Sequence, residues 1–167
     1  MKDEARKRLK RILSAYDEKL AETERREAAS RAAKAAFPER FSALKKEMLL
    51  PVLGELAEML TASGHEATAT EQEESSSSAG GVASAAISLR VTPKSFTQNA
   101  ADTKKGFIEV TFSANRRERN IVVSSTTTIV NSGASIGKRG EYEIETLTAD
   151  IVVDHVLQTL EKALGGE

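Results

Sequence analysis

The chain comes nearest to a phosphate-binding motif at residues 131–140, NSGASIGKRG. A nucleotide-cradling loop needs four residues between its glycines, then a lysine, then a hydroxyl to hold magnesium. Here Gly133 and Gly137 are separated by three residues, and Arg139 stands where the hydroxyl belongs. A strand pattern follows where a helix should open, so no helix N-terminus faces the phosphates. The spacing argues against nucleotide hydrolysis. It leaves Lys138 and Arg139 as a small anion-contacting patch on a Gly-rich loop.

The second concentration of charge is residues 115–120, NRRERN, which reads as a hairpin tip carrying Arg116, Arg117 and Arg119. Guanidinium forks suit phosphates and carboxylates. No aromatic residue is interleaved with them, so base stacking is not supported. In a simple meander alternate turns lie at opposite ends, so this tip and the 131–140 loop should point apart. A third basic cluster, Arg6, Lys7, Arg8, Lys10 and Arg11, opens the chain.

The remaining chemistry-bearing residues do not assemble into a site. His155 has Asp154 beside it and Asp150 about one helical turn earlier, but a metal would need further ligands. It reads as a boundary residue, and His65 as part of a helix cap. Nothing marks any serine as a nucleophile. Glu141, Glu143 and Glu145 fall on one face of a strand pattern, where like charges favour solvent. There is no cysteine, hence no disulfide and no thiolate site. No catalytic, cofactor-binding or metal-binding residues are assigned.

The elements that would position these groups divide at a linker. Residues 2–36 contain no Gly or Pro and are rich in helix-forming Ala, Glu, Lys and Arg. Leu9, Ile12, Leu13, Tyr16 and Leu20 make one apolar stripe at helical spacing. About two heptads are present, short of the three to four that define a coiled coil. Phe37-Pro38 should end or bend the helix. A second helix is expected over 39–61, kinked near Met48 by Pro51 and capped by Gly64. The short joint favours an antiparallel helical hairpin, with a long bent rod as the alternative.

Residues 64–82 read as a flexible linker of Ala, Thr, Glu, Ser and Gly, too polar to offset ordering entropy. Four strand patterns follow. The first, 85–91, is a candidate sheet edge open to a partner strand. Phe96 stands alone in the next loop, as a plug over the core edge. The hairpin 106–130 comes next, with Ile108, Val110 and Phe112 on one face. Residues 141–145 make the fourth strand. Thr148 is the expected N-cap of a last helix, with Asp150 in its first turn, and Gly165-Gly166 ends it.

The expected fold is therefore α+β: a helical region over 1–63, a linker over 64–82, and a four-stranded antiparallel meander with a covering helix over 83–167. The formal net charge of −1 over 167 residues gives no general case for nucleic-acid binding. The charge is uneven: residues 1–36 hold eleven Lys and Arg against seven Asp and Glu, and residues 39–74 hold three against eight. No apolar run has signal-peptide or membrane-span length, so a cytoplasmic protein without membrane association is expected. The leading functional expectation is a non-catalytic interaction or assembly module whose stripe Leu9, Ile12, Leu13, Tyr16 and Leu20 pairs with a second copy or a protein partner. The alternative is a nucleic-acid or polyanion binder using Arg6, Arg8, Arg11, Arg116, Arg117 and Arg119.

Overall fold

The computed structural model describes residues 2–76, 80–97, 106–129 and 133–165. The side chains of Phe96 and Ile129 lie outside that description, as do Ser77, Ser78 and Val130. The chain divides into two compact units, Met1–Phe37 and Pro38–Glu167.

The first unit is helical and belongs to α1 (Asp3–Leu44). Every side chain from Lys2 to Leu20 is exposed. No antiparallel helical hairpin forms at Phe37-Pro38, because helical backbone continues through Pro38. A proline inside a helix forfeits one backbone bond and costs about 3 kcal/mol. Burial of Phe37 and Phe41 on the turns either side of it offsets that cost.

In the second unit the helix widens into a π-helical turn, Lys45–Leu49, where the Leu50 N–H donates to the Lys45 carbonyl. It resumes as α2 (Leu50–Ala62), with Pro51 in its first turn. The expected irregularity near Met48 is thus a wide turn next to the proline. Phe41, Lys45, Leu49, Leu53 and Ala57 are all buried, at a spacing of four. At 3.6 residues per turn, each four-residue step drifts by about 40°. The wide turn takes up one extra residue and keeps the row facing the core. Gly64, at φ 95°, ends α2 in the left-handed conformation that favours glycine, and His65 N–H donates to the Leu60 carbonyl across it.

The sheet has five antiparallel strands, against the expected four. They are β1 (Glu66–Gln72), β4 (Ala86–Thr92), β5 (Phe107–Asn115), β6 (Asn120–Ile129) and β7 (Gly133–Tyr142), in that spatial order. Between them lie a small two-stranded sheet of β2 (Ser75–Ser76) and β3 (Val82–Ala83), and a single turn, α3 (Lys94–Thr97). The 64–82 stretch is not wholly a linker, since Glu66–Gln72 pairs along its length with Thr92–Ala86. The edge of β4 offers unpaired groups worth satisfying, and β1 supplies the partners. For the same reason the 85–91 strand is not an edge: β1 lies on one side of it and β5 on the other.

The residues 133–142, expected to be mostly loop, form β7. The expected fourth strand at 141–145 therefore stops at Tyr142, with a turn after it. Glu141, Glu143 and Glu145 do not share a strand face. Because β7 runs back along β6, Lys138 and Arg139 lie toward the end that carries the 115–120 turn, not away from it.

One face of the sheet is apolar. Ile87, Leu89, Val91, Ile108, Val110, Phe112, Ile121 and Val123 are buried there, in register across β4, β5 and β6. Helix α2 packs on β1 and β4, and α4 (Ala149–Leu164) packs on β5 and on α2. As expected, the Thr148 side chain caps α4 by accepting from the Ile151 N–H at 3.4 Å, with Asp150 in the first turn. The other face is polar, with Thr68, Thr70, Ser88 and Arg90 among its residues.

Candidate functional site

Two sets of side chains stand out, one in each unit. In the helical unit, Leu9, Ile12, Leu13, Tyr16 and Leu20 are 46–61 % exposed. Leu9, Leu13, Tyr16 and Leu20 alternate spacings of four and three, so they share one side of the helix, and Ile12 flanks them. Their neighbours are charged, and Arg26 pairs with Glu22 one turn apart at 2.6 Å. Single exposed apolar residues are ordinary, but a contiguous row rimmed by charge marks a contact surface.

In the second unit, β7 and α4 enclose a hollow of about 320 Å³ lined by Lys138, Arg139, His155, Gln158, Thr159 and Lys162. Helical spacing brings the α4 members together: 155, 158, 159 and 162 lie at i, i+3, i+4 and i+7. The β7 members depend on a register shift. Val123 pairs with Gly140 and Ser124 with Lys138, which leaves Arg139 as the extra residue of a bulge. Its Nε donates to the buried Ser125 Oγ at 2.6 Å. A strictly alternating strand would not give adjacent Lys138 and Arg139 access to the same hollow.

A polar pair braces the hollow. The Tyr142 hydroxyl and His155 Nε2 share a 2.6 Å hydrogen bond whose direction follows the imidazole tautomer. Their rings meet edge to face at 5.5 Å. Gly140 permits this approach, since a Cβ there would lie 3.0 Å from the Tyr142 ring. Thr159 Oγ1 donates back to the His155 carbonyl at 2.7 Å. Burial holds the His155 pKa below its ordinary value of 6.5; the Asp154 carboxylate opposes this, and the Arg139 guanidinium adds to it. Lys138 is ion-paired with Glu141. Among the described residues, neither Arg139 nor Lys162 meets a carboxylate.

The other candidates are dispersed. Arg6, Arg8 and Arg11 belong to the helical unit, and Arg116, Arg117 and Arg119 to the other. Arg116 pairs with Glu74 at 2.7 Å, and Arg117 lies 3.9 Å from Glu118. His65 Nδ1 accepts from the Lys94 backbone N–H at 3.2 Å. Among the described residues no group of three or more His, Asp or Glu could hold a metal ion. The polar sheet face carries a shallow groove of about 550 Å³ between β1, β4 and β5. Its Arg90 is already paired with Glu109 at 2.8 Å and stacked 4.0 Å over the Phe107 ring.

Lys138, Arg139 and His155 stand as separate features in the sequence, and Ser125, Gly140, Tyr142, Gln158, Thr159 and Lys162 are not among the expected site residues. The helical spacing of 155, 158, 159 and 162 was a usable signal. The bulge that turns Arg139 toward Ser125 left none.

The fold and these surfaces define an α+β protein with a helical N-terminal unit and a unit built on a helix-covered antiparallel sheet. No protein family, curated protein or solved structure matches the chain. Among the described residues no helix is long and apolar enough to cross a membrane.

Proposed function

We propose that this protein is a non-catalytic assembly module that self-associates through the stripe Leu9, Ile12, Leu13, Tyr16 and Leu20 of α1. The observation that carries the reading is the exposure of all five apolar side chains on one helical segment. An isolated helix of this kind is marginal in water, and burying an amphipathic face is its usual source of stability. The occupant is a second copy, running antiparallel. Arg6, Lys7, Arg8, Lys10 and Arg11 make the start of the helix basic, whereas Asp17, Glu18, Glu22, Glu24 and Glu27 outnumber Lys19, Arg25 and Arg26 further on. Antiparallel pairing sets basic against acidic, and parallel pairing sets five cations against five. In the antiparallel pair Leu9 meets Leu20 of the second copy, and Leu13 meets Tyr16. The lack of cysteine suits a reducing compartment, and the reading places the protein in the cytoplasm.

The test is absolute mass by light scattering on the full chain. The expected value at about 100 μM is twice the 18.0 kDa of one chain, dissociating near the micromolar range. The double substitution L13E/Y16E should give the single-chain mass, with any loss of helical signal in circular dichroism limited to the Met1–Phe37 unit. A wild-type chain that remains monomeric at that concentration would remove the reading.

A further inference from the structure

We propose that the hollow between β7 and α4 binds a small phosphate monoester, with Arg139 and Lys162 taking the two negative charges of its phosphoryl group. The inference rests on the second unit alone and is independent of self-association. No carboxylate is among the residues that line the hollow. Of its three full cations, Lys138 is neutralised by Glu141, and Arg139 and Lys162 are left without an anionic partner among the described residues. Two uncompensated cations sharing a concave surface favour a dianion over a monoanion.

Arg139 is also pre-oriented. Its Nε is spent on Ser125 Oγ, a side chain only 2 % exposed, which fixes the plane of the guanidinium. Its terminal nitrogens have no hydrogen-bond partner among the described residues, and they match two oxygens of one phosphoryl group. Gln158 adds an amide donor to the wall. The volume, about 320 Å³, exceeds what a bare oxyanion needs and falls at the small end of ligand-sized clefts, which run from about 300 Å³ upward. That favours an ester carrying a compact polar group over free phosphate.

The chain contains two histidines, His65 and His155, so imidazole ¹H–¹⁵N spectra of the full chain read the hollow directly. His65, hydrogen-bonded to Lys94, serves as the internal control. Glycerol 3-phosphate should move the His155 signals saturably at low millimolar concentration and leave His65 in place. It should also raise the His155 pKa, because a bound dianion favours the imidazolium and offsets Arg139. Inorganic phosphate should move the same signals at higher concentration. Lys162→Gln, a change at an exposed position of α4, should weaken binding by about tenfold, and Arg139→Gln by at least as much. No movement of His155 at about 10 mM of either probe, equal movement of His65, or unchanged affinity in Lys162→Gln would each overturn the proposal. So would a response of His155 to a single-stranded oligonucleotide but not to glycerol 3-phosphate.

Discussion

At the scale of the residue, burial and a neighbouring guanidinium both bear on the imidazole of the Tyr142–His155 pair. Burial removes water that would stabilise the imidazolium, and the Arg139 guanidinium repels it; Asp154 opposes both. The titratable and charged groups on this side of the molecule are Tyr142, Lys138 and Arg139 from β7, and Asp154 and Lys162 from α4. Removing Arg139 as Arg139→Gln should therefore raise the His155 pKa, and Asp154→Asn should lower it further; both are readable by imidazole titration. The same shift links to stability with a definite sign. Because the folded pKa lies below 6.5, the unfolded chain binds more protons between the folded value and 6.5. Stability therefore falls as pH drops from 6.5 through the folded value, and this residue contributes no pH dependence above that window. In a His155→Gln variant, the fall in urea midpoint across that window should flatten. An unchanged slope would mean that other groups carry it.

At the scale of the element, Lys45 is the informative residue. Its side chain is 1 % exposed, and its Nζ reaches Glu73 at 3.1 Å and lies 3.9 Å from Glu71. Those carboxylates are 78 % and 37 % exposed, so water replaces the ammonium if it is removed. The aliphatic stem occupies one position of the buried row between Phe41 and Leu49. Packing, not charge, should therefore dominate: Lys45→Met should cost less than about 1 kcal/mol, and Lys45→Ala about 2–4 kcal/mol, read from urea midpoints at equal m-value. Equal losses would assign the stability to the ion pairs. The legibility of the sequence follows the same physics. The strands β4 and β5 were readable because their buried sides carry Ile, Leu, Val and Phe at alternate positions, and β6 because it is rich in Val, Ile and Thr. Strand β1 alternates too, Ala67 and Ala69 against Thr68 and Thr70. Alanine buries so little area that pairing with β4, not its own composition, makes it a strand. Strand β7 was hidden by Gly133, Gly137 and Gly140, read as loop residues although β6 supplies a full ladder. At Phe37-Pro38 the sequence left a hairpin and a long rod both open, because the burial of Phe37 and Phe41 that favours a continuous helix is a tertiary fact.

At the scale of the whole molecule, the strand pairing bears on how assembly must be studied. A fragment beginning at residue 83 lacks β1 and α2, which cover one edge and part of the apolar face of the sheet. Any association of such a fragment would report an exposed core, so the full chain is the proper object. Its absence of cysteine makes the orientation of the α1 pair directly measurable. The antiparallel register that sets Leu9 against Leu20 and Leu13 against Tyr16 also sets Arg6 against Thr23. In a parallel pair, Thr23 would instead face its own counterpart. A disulfide forms only where two Cα atoms approach within about 7 Å. In the antiparallel pair, the two copies of Thr23 are about 25 Å apart along the helix axis, from a rise of about 1.5 Å per residue. Thr23→Cys alone should therefore remain uncrosslinked under mild oxidation. An equimolar mixture of Arg6→Cys and Thr23→Cys chains should yield a covalent dimer on a non-reducing gel. Strong cross-linking of Thr23→Cys by itself would establish a parallel pair and overturn the charge argument for orientation while leaving the interface in place. Raising salt should weaken association by screening the basic-to-acidic contacts, with a smaller effect than L13E/Y16E, because the apolar row supplies most of the buried area.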